Sequence, residues 1–257
     1  MEETMAYKRK IAKLMVSYDH RVFKRTRKRF TKEEALEWFY GVIFDQSVLW
    51  QGAWDNIEPL RKRLGTLNPY RISKMPLGNI RNAIKGDKRK KGSEDGGLHR
   101  FYPQIAEYIK YSCLLLCQKY KGDPRLIWNN QRNAKKIEER LMEFHGMGQK
   151  KSSMTVNILA TERGIRKINK SGIDVSVDRH VRRVFVRTGL STARSSKEII
   201  EVARQLFPKY PGVLDGPAFC IGQEYACNIS FHEFHINTQI NISNTVCYLF
   251  RHIKSIL

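Results

Sequence analysis

The residues of this chain best equipped for chemistry fall in two short clusters. The first is His145-Gly-Met-Gly-Gln-Lys-Lys151, where a tight glycine turn opens a helix that carries two amines. The second is Val177-Asp-Arg-His180, where an apolar run gives way to another helix. Gly146 and Gly148 have no Cβ, so an anion can approach the free N–H groups at the start of the following helix. Such a turn suits a phosphate, and it would hold a polynucleotide backbone without reading its sequence. Lys150, with Lys151 beside it in a strongly basic chain, offers an amine that desolvation or neighbouring cations can partly deprotonate. A phosphate contact is the simpler role for the same side chain. Asp178 offers a carboxylate at a helix start, where the dipole favours negative charge; taken alone it reads as a plain N-cap. Asp174 is the rival carboxylate, but it lacks the following His-Val-Arg-Arg-Val helix.

The elements that must position these groups read as helices. Thr31-Lys-Glu-Glu34 is a capping box. It opens a helix with a wide apolar stripe, Leu36, Phe39, Tyr40, Ile43 and Phe44, which ends at Asp45-Gln46-Ser47. A second helix is expected from Trp50 to Leu64, closed by Gly65. Short helical patterns follow over Leu77–Lys85, then from Pro103 to Tyr120, then over 131–144 through Ala134, Ile137, Leu141 and Phe144. The hairpin of helices around the glycine turn spans 137–162. Ser195-Ser-Lys-Glu198 is a second capping box, starting a helix to about Phe207, and a last helix is expected from Gly212 to Cys227. Convincing strand alternation is scarce, so the predicted fold class is all-α.

Composition narrows the partners. The 257 residues include 47 Lys and Arg against 25 Asp and Glu, a formal charge of +22 with a pI near 9.9. Self-repulsion on that scale calls for an anionic partner, and nucleic acid is the usual one. Much of the excess sits in residues 1–30, read as a basic N-terminal arm that is in part an amphipathic helix through Ile11, Leu14, Met15 and Tyr18. Lys85–Gly97 reads as a charged, glycine-rich surface loop. No apolar run reaches the ~18 residues of a membrane span, and no apolar stretch follows the basic N-terminus as in a secretory signal. Five cysteines without framework spacing favour a reducing compartment, so the expectation is a cytoplasmic protein, nucleoid-associated if prokaryotic.

Gly-x-Gly-x-Lys after an apolar helix, followed by Val177-Asp-x-His180, resembles the helix-hairpin-helix DNA glycosylases of the endonuclease III superfamily. The resemblance covers roughly Thr31 to Cys227. It implies a two-lobed helical core over 31–227, one lobe around 31–130 plus 150–165 and the other from the N-terminal arm and the C-terminal third, with a divergent tail at 228–257. It implies a base-excision enzyme that flips a damaged or mismatched base out of double-stranded DNA, acting as a monomer. In bifunctional members the lysine two past the second hairpin glycine forms a Schiff base with the sugar, and here that position is Lys150; Lys151 is the second choice. The aspartate of Val-Asp-x-His stabilises the oxocarbenium-like sugar or activates the attacking group, and here it is Asp178. Gln46 matches the glutamine that members insert where the damaged nucleotide leaves. Gly146, Gly148, Lys151 and His180 complete the expected DNA-contacting set.

The chain departs from the pattern in two places. Lys150 and Asp178 are 28 residues apart, about ten more than the family shows, and the surplus reads as the Arg166–Gly172 loop, a kind of insertion that costs little. Many members hold an iron–sulfur cluster on Cys-x6-Cys-x2-Cys-x5-Cys. Counting from Cys227 places Phe234, Asn237 and Ser243 at the later ligand positions, and counting from Cys220 gives Cys227, Ser230 and Ile236. Neither register supplies four thiolates, so no cofactor is expected. His232 and His235 near Cys227 form no supported zinc geometry. Two alternatives stay open: a monofunctional glycosylase that uses Asp178 to direct water, and a non-catalytic DNA-binding relative.

Overall fold

The computed structural model describes residues 2–17, 29–48, 50–87, 96–163, 165, 168–192 and 195–225. The expected tail at 228–257, with Cys227, Cys247, His232 and His235, lies outside the described residues, as do positions 18–28 and 88–95. Every regular element among the described residues is a helix, and the fold is all-α. No described helix is long and apolar enough to cross a membrane. The chain divides into two compact units, one of residues 28–155 and one of 1–27 with 156–257.

The 28–155 unit is built around α2 (Lys32–Phe44), which starts at the Thr31 capping box. The Thr31 hydroxyl accepts from Glu34 N at 3.2 Å, and Thr31 N donates to the Glu34 carboxylate at 2.7 Å. From Trp38 onward α2 is buried on all sides, Trp38 through Phe44 without a break. A helix apolar all round must sit in the middle of its bundle. Its neighbours are α3 (Trp50–Asp55), α4 (Ile57–Leu64) and α7 (Tyr102–Tyr120), with α5 (Pro69–Lys74) and α6 (Leu77–Lys85) packed on α7. Trp38 lies 5.2 Å from Trp54, and Phe39 meets Phe144 edge-on at 5.0 Å, the tilted geometries that aromatic quadrupoles prefer. The single helix expected over Trp50–Leu64 is two. Pro59 has no N–H for the Asp55 carbonyl and its ring crowds it, so the chain turns at Asn56, whose Nδ2 donates to Leu98 O at 2.8 Å. Pro69 opens α5 behind an Asn68 N-cap. The unit continues through α8 (Arg125–Trp128), α9 (Ala134–Met142) and the start of α10 (Gln149–Thr161).

The other unit opens with the N-terminus. The amphipathic helix expected within the basic N-terminus is α1 (Glu2–Ser17), with Ile11 and Met15 of the expected stripe, and Ala12 beside them, buried in the unit's core. Those three apolar residues outweigh the flanking lysines, which stay at the surface. The core continues through Val175 and Val177 and then α11 (Arg179–Arg187), α12 (Ser196–Leu206) and α13 (Asp215–Tyr225). Two 3-10 turns, Lys170–Gly172 and Pro211–Leu214, complete it. The final helix begins at Asp215 rather than Gly212, because Pro211–Leu214 takes the tighter turn. Helices α11 and α13 pack at the closest approach that Gly222 permits: a Cβ there would stand 2.9 Å from the backbone Cα and O of His180.

Candidate active site

The hairpin that carries Lys150 is pinned by a polar chain between its helices. Lys135 Nζ donates to Glu138 Oε2 at 2.6 Å, Ser153 Oγ donates to Glu138 Oε1 at 2.6 Å, and Gln149 Nε2 donates to Ser153 Oγ at 3.0 Å. Glu138 is buried, and a buried carboxylate held by a cation and a hydroxyl fixes α9 against α10. The turn itself needs Gly146, whose φ is +79° and whose missing Cβ leaves room for the Tyr108 ring. Gly148 faces open space, with nothing within 4 Å of a Cβ position. The first bond of α10 runs from Ser152 N to Gly148 O, so the amides of Lys150 and Lys151 precede any intrahelical acceptor. The turn has the form expected of an anion site.

The two lysines part company at once. Lys150 is 41 % exposed, with Nζ 3.7 Å from Asp45 Oδ2. Lys151, expected among the DNA contacts, is only 6 % exposed, and its Nζ donates to the Ile43 carbonyl at 3.0 Å. About 100° of helix rotation between neighbours turns one side chain out and the other in against the end of α2. Burial pulls the Lys151 ammonium down to about 8, against the pull of the Asp45 carboxylate and with a push from Lys150. An amine so placed ties two elements together and is out of reach of a duplex.

Gln46 follows directly at the end of α2. Its carbonyl accepts from His99 Nε2 at 3.1 Å, while His99 Nδ1 accepts from Phe101 N at 3.0 Å, which sets a neutral imidazole. Burial holds His99 below the ordinary histidine range. Arg100 donates to Ser47 O at 3.0 Å, and Ser47 itself has φ 56°. The backbone that presents Gln46 is thus fixed from two sides, and its half-buried side chain has no bonded partner among the described residues. Of the aromatic side chains in this region, Trp38 and Phe44 belong to the core.

In the other unit, Asp178 caps α11, accepting from His180 N at 2.8 Å and Val181 N at 2.9 Å through Oδ1. Its second oxygen carries no bond to a described residue. Asp174 is committed elsewhere, to Arg204 through two 2.8 Å bonds. His180, expected as a DNA contact, is 7 % exposed; it packs edge-on against Phe219 at 5.5 Å, and its Nε2 accepts from Arg179 Nε. Spacing alone did not single out Glu138, Asp45 or Asp215. Each is a carboxylate whose partner lies far off in sequence or on a neighbouring helix. Among the described residues no group of His, Cys, Asp and Glu could hold a metal ion.

This arrangement defines the helical fold of endonuclease III. A solved structure described as a trapped endonuclease III–DNA covalent intermediate in an estranged-adenine complex matches with a TM-score of 0.57. It is 18 % identical in sequence, and the match covers 90 % of each chain. No family model matches the sequence, and no curated protein does.

Proposed function

We propose that the chain is a DNA glycosylase that extrudes a damaged or mismatched base and cleaves its N-glycosidic bond, followed by AP lyase cleavage of the strand. The observation that carries this reading is the hairpin start: an open Gly146–Gly148 turn followed at once by Lys150, the accessible member of the lysine pair, in a fold shared with an endonuclease III trapped on DNA. The hairpin amides hold a backbone phosphate, and Gln46 enters the space that the flipped nucleotide leaves. Unprotonated Lys150 attacks the sugar C1′ as the C1′–base bond breaks, and the base departs with that electron pair and takes up a proton. Opening of the sugar ring leaves a protonated imine between Nζ and C1′. Loss of a C2′ proton then expels the 3′ phosphate, which is the lyase step. Asp178, whose second carboxylate oxygen bonds no described residue, offsets the positive charge that develops on the sugar. Lys151 and His180 support the backbone around these groups.

The ion pair between Lys150 and Asp45 favours a second reading. A paired ammonium is no nucleophile, and if it stays paired, Asp178 directs water to C1′ and the enzyme is monofunctional. Duplexes carrying one lesion each (uracil, thymine glycol, 8-oxoguanine, alkylated bases, a G·T mismatch) test the proposal by base release. Wild type is expected to release at least one of them, and Asp178→Asn to lose that release. Tight, salt-sensitive binding with no lesion processed would instead make the chain a non-catalytic DNA-binding protein.

A further inference from the structure

The segment entering Asp178 is held by side chains in alternation. Val175 and Val177 go into the apolar core, while Asp174 takes Arg204 and Ser176 takes Asp215. Asp215, the first residue of α13 and 8 % exposed, accepts from Ser176 Oγ through Oδ2 at 2.8 Å and from Ser176 N through Oδ1 at 3.2 Å. Asn157 favours the charged form of the same carboxyl, and its own position is fixed by Nδ2 donating to Gly212 O at 2.9 Å and by the Tyr210 hydroxyl. Burial pushes the Asp215 carboxyl up to about 7, with the Asp178 charge adding to the push and Ser176 and Asn157 opposing it. A buried carboxyl so close in charge to another is expensive to keep for packing alone.

We propose that Asp215 is a positioning residue for Asp178: by gripping both the amide and the hydroxyl of Ser176, two residues upstream, it fixes the backbone from which Asp178 caps α11 through one oxygen and presents the other. Asp215 is too deeply buried to meet a substrate, so it acts through Ser176. The inference rests on the glycosylase reading for its catalytic consequence, but not for its structural one. A misplacement of Asp178 by a fraction of an ångström to an ångström is enough to cost up to about a hundredfold in rate without weakening binding.

The test compares wild type, Asp215→Asn, Ser176→Ala and Ser176→Thr in the full chain. Asp215→Asn is expected to slow single-turnover base release by about 10- to 100-fold, leaving the duplex Kd within about twofold because the phosphate contacts are untouched. Amide hydrogen exchange should quicken over residues 176–181 and stay unchanged in α12. Ser176→Ala, which keeps the carboxylate and one of its two bonds, should show the same changes to a smaller extent, and Ser176→Thr should restore the wild-type rate. Ser176→Ala also serves where Asp215→Asn fails to fold. Wild-type release and exchange in both Asp215→Asn and Ser176→Ala would overturn the proposal. Should wild type release no base at all, the glycosylase reading fails, and the exchange comparison still decides whether Asp215 holds the segment before Asp178.

Discussion

Replacing Lys151 by Met should stabilise the protein at neutral pH. The side chain is nearly fully buried, and burial lowers its ammonium from the ordinary 10.5 to about 8. At about 1.4 kcal/mol per pH unit, that gap is about 3 kcal/mol, the penalty for keeping the amine charged inside the fold. The sign follows from proton linkage. Between pH 8 and 10.5 the unfolded chain binds the proton and the folded one does not, so stability contributed by this group rises with pH across that window. Below 8 the penalty is present in full. Met fills the same channel without the charge, but it leaves the Ile43 carbonyl unbonded, which costs about 1–2 kcal/mol. The net gain at pH 7 is therefore about 1–2 kcal/mol, or about 2–8 °C in the midpoint of a chain this size. The difference should shrink as pH rises from 8 and reverse between about pH 9 and 10, because wild type then keeps a neutral amine and its bond. Urea and thermal unfolding of both proteins from pH 6 to 10.5 measure it. A variant less stable than wild type at pH 7, with a difference that does not change with pH, would show that attraction from Asp45 outweighs desolvation and that the reasoning is wrong.

Two glycine substitutions probe the backbone. Gly222→Ala would drive a Cβ to 2.7–2.9 Å from the Cβ, Cα and carbonyl O of His180, and no rotamer change relieves backbone atoms. Moving α11 off α13 should cost about 1–3 kcal/mol, and an unaltered melting curve would contradict that packing. Gly146→Ala meets both the left-handed φ of +79° and the Tyr108 ring at 2.4 Å. It should weaken duplex affinity, and adding Tyr108→Ala should recover the steric part of the loss but not the conformational part; equal affinity of Gly146→Ala and wild type would refute a role for the turn in binding. Duplex affinity should fall with salt at a log–log slope near −0.9 per phosphate contact, shallower in Lys150→Gln by about one contact if that amine touches phosphate and unchanged if it does not.

What could be read from the sequence was whatever depended on near neighbours. The Thr31 and Ser195 hydroxyls cap their helices as expected because a cap and the amide that donates to it are three residues apart. The glycine turn was visible for the same reason: its φ and its open N-terminus are local. Pro59 was a local signal too, and it broke a helix that the apolar spacing had run straight through. The inward turn of Lys151 was not legible, since Lys150 and Lys151 are alike in type and only the packing of α10 against the end of α2, 108 residues away, separates them. Asp215 was hidden in the same way. Its partner lies 39 residues upstream, and nothing near it in sequence distinguishes it from a helix-starting aspartate. In the basic N-terminus the helical spacing of Ile11 and Met15 was legible despite the charge, and both join the core with Ala12.

The most direct measurement is borohydride trapping on a duplex carrying a lesion that the enzyme releases and on one carrying an abasic site. If Lys150 is the nucleophile, wild type should give a covalent protein–DNA adduct whose tryptic peptide is modified at Lys150, and Lys150→Gln should give none while still binding the duplex. An adduct that persists undiminished in Lys150→Gln would contradict the assignment of the amine. Base release without any adduct in wild type would contradict the lyase step and leave Asp178 with water as the nucleophile.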